Sequence, residues 1–135
     1  EPALVERISR LPAAVRARVD RRPWVPAPAR DRLLAGAAVL AFPSVYEGFG
    51  FPVLEAMSAG VPVVAARAAS VPETAGDAAV LVEPDDADAL AAALESVLAD
   101  SALRSDLARR GRARVGAFTP ERCAARMLDL YRAFI

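Results

Sequence analysis

The 135 residues contain no lysine and no histidine, a single cysteine and no net charge. Without lysine there is no Schiff-base nucleophile, and without histidine no triad or metal site that depends on imidazole. All 17 basic residues are arginines, matched by 17 acidic ones, so no bulk charge draws the chain to nucleic acid or an anionic membrane. An anionic ligand has to be held locally. Cys123 has no partner for an internal disulfide, and neither a cluster of metal ligands nor a redox pair is visible. This fits a reducing cytoplasm, with no metal and no bound cofactor. The apolar stretches are broken by Pro43, Glu47, Gly48 and Pro52, so none reaches the roughly 18 residues of a transmembrane segment. The opening residues do not read as a signal peptide, and none is expected there. It begins at Glu1 without an initiator methionine, directly in helix-like sequence, and is expected to be cut from a longer protein.

What is present is a core. At 135 residues and 55% hydrophobic content the chain suits one globular domain. Leu4, Val5, Ile8 and Leu11 recur at spacings of three and four, giving an amphipathic helix over Pro2 to Leu11. Val15, Ala17 and Val19 alternate with Arg16 and Arg18, the pattern of a short strand, before the Pro-rich loop from Pro23 to Pro28. Arg30 to Gly36 reads as a helix closed by glycine, and the run Ala38 to Phe42 as a buried strand stopped by Pro43. A helix over Pro52 to Ala59 ends at Gly60. Val61 to Ala66 is a second buried strand, Pro72 to Ala75 a short helix and Ala79 to Val82 a third strand. Strands that are apolar throughout, alternating with helices, predict an α/β fold: a Rossmann-like parallel sheet with helices on both faces. The last third reads as helical, with Asp86 and Thr119 as N-caps, Ser101 starting the middle helix and Pro120 in a first turn.

The chemistry is concentrated between the first two strands. A strand ending at Phe42, a loop holding Gly48 and Gly50, and a helix opening at Pro52 form an anion-binding arrangement. The glycines let a ligand approach the backbone, and the free N–H groups around Phe49 to Val53 add to the positive end of the helix dipole. Glu47 in the loop and Glu55, read as lying in the helix's first turn, are expected to border one cleft at the carboxyl ends of the strands. Carboxylates accept paired hydrogen bonds from sugar hydroxyls. Phosphate on the amides and hydroxyls on the carboxylates describe a nucleotide sugar. A glycine-rich turn before a helix is also common as a plain turn, and a glutamate there often only complements the dipole. Spacing alone leaves both readings open.

The segment from Pro43 to Ala65, Pro-Ser-Val-Tyr-Glu-Gly-Phe-Gly-Phe-Pro-Val-Leu-Glu-Ala-Met-Ser-Ala-Gly-Val-Pro-Val-Val-Ala, is similar throughout to the signature of family 4 retaining glycosyltransferases. The likeness extends more weakly through Val71-Pro72-Glu73, Leu81 to Asp85, Gly111 to Arg114 and Leu130-Tyr131, covering nearly the whole chain. The resemblance implies the C-terminal, donor-binding domain of a GT-B fold, incomplete at its N-terminal side. It implies a UDP-, GDP- or ADP-sugar as donor and retaining hexosyl transfer to an acceptor held by a separate N-terminal domain that is absent here. Metal independence is expected, because the dipole and basic residues neutralise the diphosphate. Carried over residue by residue, Glu47 is the catalytic-site glutamate on the donor sugar. Ser44, Gly48, Phe49, Gly50 and Phe51 hold sugar and diphosphate, Glu55 grips the ribose, and Val25 lies near the base. The chain departs from the pattern in two places. The basic pair that usually stabilises the leaving group must lie before Glu1, since there is no lysine, and Ala68-Ala69-Ser70 stands where glycines are common.

Other residues read as structural. The arginines at 109, 110, 112 and 114 suggest a solvated face; Trp24, Cys123, Tyr131 and Phe134 suggest packing. Two other functions compete with transfer: a glycoside hydrolase using Glu47 and Glu55 as acid and base, and a nucleotide-binding piece without catalysis. The second is favoured for the 135 residues alone, with uncovered apolar surface promoting self-association. The full-length protein is expected in the cytoplasm, free or peripheral at the inner membrane face.

Overall fold

The computed structural model describes residues 2–134, and its contacts divide the chain into two units, residues 1–30 and 31–135. The first unit holds α1 (Pro2–Ser9), α2 (Ala13–Arg16) and the start of α3 (Ala27–Ala35). The strand expected over Val15 to Val19 is a helix and the turn that follows it: the Pro12 carbonyl accepts from Val15 and Arg16 at 2.9 Å each, and that of Ala13 from Ala17 at 3.0 Å. Five alternating residues specify a strand only when a neighbour offers a ladder. Among the described residues of this unit there is no strand, so the helix propensity of Ala and Arg prevails. Arg16 then donates to the Ser9 carbonyl at 2.9 Å, tying α2 to α1. The proline-rich loop is shorter than expected, because Pro28 sits in the first turn of α3, where its missing N–H costs nothing. Trp24, read as packed, is 77% exposed.

The second unit continues through β1 (Leu40–Phe42), α4 (Phe51–Ser58), β2 (Val63–Ala66), α5 (Val71–Ala75), β3 (Val80–Val82), α6 (Ala87–Ala99), α7 (Ser101–Val115) and α8 (Pro120–Ala133). The strands form one parallel sheet in the order β1-β2-β3, with Ala41 opposite Val64 and Ala65 opposite Leu81. This is the expected α/β architecture. Alternate side chains of β2 serve opposite faces. Val63 and Ala65 pack with Val53, Ala56 and Met57 of α4 and with Val71 and Ala75 of α5, whereas Val64 packs with Val97 of α6 and Leu107 of α7. All four residues of β2 are buried, which is why its sequence is apolar without alternation. The run Ala38 to Phe42 is less buried than expected: β1, like β3, lies at an edge of the sheet among the described residues, and Ala41 is exposed.

The helical third has its caps where the sequence places them. Asp86 accepts from Ala89 N–H at 2.8 Å and Thr119 from Arg122 N–H at 3.3 Å. Two readings change. The arginine run is not a plain solvated face: Arg110 and Arg114 donate to the carbonyls of Asp77, Glu73 and Thr74, and the Arg112 guanidinium occupies the space a Cβ on Gly60 would need. The apolar stripe of α8 is exposed instead of packed. α8 buries none of its residues; Cys123 is exposed, Tyr131 is 60% and Phe134 88% exposed. Periodicity correctly marks the face, but no element among the described residues covers it.

Candidate functional site

The loop from Pro43 to Gly50 leaves the carboxyl end of β1 and enters α4 at Phe51. Gly50 makes that entry possible. Its φ of +88° lies in the left-handed region, where a side chain is costly, and it is the residue preceding the helix. The helix opens one residue earlier than the sequence suggests, at Phe51, with Pro52 second in its first turn. The Val53 N–H, expected to be free, donates to the Gly50 carbonyl at 3.0 Å. The N–H groups of Gly48, Phe49, Gly50 and Phe51 donate to no backbone carbonyl among the described residues. These four amides, like those of residues 44–47, are unsatisfied donors, and they lie next to the positive end of α4.

Glu47 is half-buried, and Ser44 explains its orientation. Ser44 Oγ lies 2.9 Å from Glu47 Oε1 and 3.2 Å from the Tyr46 carbonyl, so its single proton serves one or the other. Ser44, expected to touch the donor, thus has the Glu47 carboxylate as an immediate partner. Phe49 and Phe51 lie with ring centroids 4.8 Å apart, and Phe49 meets Phe118 edge-on at 5.6 Å. Tyr46, by contrast, is 84% exposed.

Glu55 falls in the second turn of α4, not the first, because the helix begins at Phe51. It borders a concavity of about 450 Å³ with Asp31, Leu34, Phe51, Leu54 and Phe118, which Glu47 does not line. The two carboxylates, expected on one cleft, therefore have different surroundings. Val25 is half-buried and belongs to the first unit. A smaller concavity, about 220 Å³, opens at the carboxyl ends of the strands between Pro43, Ala66 and Val82, but Glu83, Asp85 and Asp86 give it the wrong charge for a phosphate. A third concavity, about 560 Å³, is lined by Glu73, Arg114, Phe118, Arg122 and Arg126 and takes in no residue of the glycine loop. Its size alone gives it no claim to the chemistry. Among the described residues no group of three or more carboxylates, cysteines or histidines gathers in metal-binding proximity.

The residues behind the loop went unnoticed in the sequence. Ser70 Oγ donates to the Glu47 carbonyl at 2.9 Å, and Thr74 Oγ1 donates to the Phe49 carbonyl. The one available signal was the i, i+4 spacing of two hydroxyls around the Val71-Pro72-Glu73 match.

Residues 15–114 match the family described as glycosyl transferases group 1, a stretch that takes in the whole sheet, the glycine loop and both glutamates. The chain belongs to that family. It is 40% identical over 109 residues, 81% of this chain and 29% of the other, to the O-antigen chain mannosyltransferase B of Escherichia coli. Among solved structures, a sucrose-phosphate synthase from Thermosynechococcus elongatus matches with a TM-score of 0.66 at 40% identity, over 76% of this chain and 26% of that one. The structure of TarM matches with a TM-score of 0.65 at 23% identity, over 80% and 22%, a likeness of fold alone. The chain spans less than a third of the length of these relatives.

Proposed function

We propose that this chain is the donor-binding, C-terminal part of a GT-B, family 4 enzyme that transfers a hexosyl unit from a nucleoside-diphosphate sugar with retention at the anomeric carbon. The observation that carries the proposal is the row of unsatisfied amides at Gly48, Phe49, Gly50 and Phe51, beside Glu47 and at the N-terminus of α4, in a group 1 glycosyltransferase chain. In this reading the amides bind the diphosphate. Glu47, oriented by Ser44, accepts hydrogen bonds from the donor sugar, and Glu55 accepts them from the ribose. The separate surroundings of the two glutamates favour this division of labour over an acid and base pair acting on one glycosidic bond. Val25 is assigned to the base on family resemblance alone. Mannose transfer by the Escherichia coli relative supports a hexose but does not select the base.

Transfer is proposed to need no metal, with neutralisation of the leaving diphosphate left to the amides, the dipole and basic residues. The 135 residues alone are proposed to bind donor without transferring it, since they span under a third of their relatives. Both points are tested by donor turnover in the full-length protein with and without chelator, and in the isolated chain. Chelator-resistant turnover that Glu47→Gln lowers by about a hundredfold is expected. Activity abolished by chelator and restored by magnesium contradicts metal independence, and turnover by the isolated chain contradicts its assignment as donor half.

A further inference from the structure

We infer that Thr74 and Ser70 are positioning residues for donor binding: two hydroxyls one helical turn apart that hold the glycine loop by its carbonyls and thereby aim the linked amides away from α5. The inference rests on the donor-binding reading above. Ser70 takes the Glu47 carbonyl and Thr74 the Phe49 carbonyl, two residues apart in the loop. Peptide planarity then links each captured carbonyl to the following N–H, which must face away from α5. The N–H groups so oriented are those of Gly48 and Gly50, two of the four unsatisfied amides.

Thr74 suits this role because it is fixed on every side. It is 1% exposed, and its side chain lies 3.9 Å from where a Cβ on Gly50 would sit, so it also backs the left-handed residue that starts α4. Its own carbonyl accepts from Arg114 Nε at 3.0 Å, and Arg114 also donates to the Glu73 carbonyl. The Arg114 guanidinium lies 4.9 Å from the centroid of Phe118, whose ring meets Phe49 edge-on. The contacts close a ring, Phe49 to Thr74 to Arg114 to Phe118 and back to Phe49. A loop held in this way presents its amides without reorganising when an anion arrives, and the affinity gained is that of preorganisation.

The test uses the full-length protein. UDP, GDP and ADP are titrated calorimetrically into wild type, and the diphosphate that binds is compared with its nucleoside in Thr74→Val, Thr74→Ser and Ser70→Ala, alongside thermal unfolding of each. Thr74→Val keeps the shape and removes the donor. It is expected to weaken the diphosphate about tenfold, equivalent to about 1.4 kcal/mol, while nucleoside affinity is unchanged. Thr74→Ser should restore diphosphate affinity, and Ser70→Ala should weaken it by a smaller factor. A purely structural threonine would lower the melting temperature and leave the affinity of the folded protein unchanged. That result, or an equal loss for nucleoside and diphosphate, overturns the inference. If Thr74→Val does not fold, unchanged diphosphate affinity in Ser70→Ala overturns it. Failure of wild type to bind any of the three diphosphates instead overturns the donor-binding reading itself, and the positioning role with it.

Discussion

Gly50 and Ala69 both hold positive φ, +88° and +47°, on neighbouring loops, but only Gly50 is a residue to which that conformation comes freely. Ala69 stands where the resembling family commonly has glycine, and its loop ends at Ser70, the residue that holds the Glu47 carbonyl. The strain is local and removable. Ala69→Gly is expected to raise unfolding stability by about 0.5–1 kcal/mol, relief of the left-handed alanine outweighing the entropy added to the unfolded chain. Equilibrium denaturation checks it; an unchanged or lower stability means that the Ala69 backbone is not strained. At this scale Glu47, Gly50 and Glu55 stood out in the sequence as candidates because they share one short segment with its own grammar of glycine, proline and carboxylate. Thr74 and Arg114 did not, because their partners lie 25 and 40 residues away and nothing local marks a hydroxyl or a guanidinium that will meet a distant carbonyl.

The elements were legible where burial or capping dictates the residue type. β2 was found because both its faces are covered, and α6 and α8 because Asp86 and Thr119 announce their starts. Asp100 plays the same part between α6 and α7, its Oδ1 accepting from Ala102 at 2.8 Å and Leu103 at 3.0 Å. Asp100→Ala should therefore cost about 1 kcal/mol by chemical denaturation, and an unchanged midpoint would mean that water serves those amides equally well. Two of the errors share one cause. The alternation at Val15 to Val19 and the stripe on α8 are real patterns, but a pattern becomes a strand or a packed face only when a partner element is present. The boundary of α4 was misjudged by one residue, enough to move Glu55 from the first turn to the second.

At the scale of the molecule, the edge strand β1 and the exposed apolar face of α8, with Leu130 57%, Tyr131 60% and Phe134 88% exposed, are surfaces that water disfavours. The isolated 135-residue chain should associate as its concentration rises, read by sedimentation velocity. A monomer at all concentrations would show that these surfaces are tolerated. The α/β plan was legible as a whole because alternation of apolar strands with helices leaves few other arrangements. What the chain binds depends on fewer residues, and one titration decides it. Full-length wild type, Glu47→Gln and Glu55→Ala are titrated calorimetrically with UDP, GDP, ADP and their sugars. Wild type is predicted to bind one nucleotide series. Glu55→Ala should weaken the diphosphate and its sugar alike by about tenfold, while Glu47→Gln should weaken only the sugar-bearing form. Wild type that binds none of these nucleotides contradicts the account.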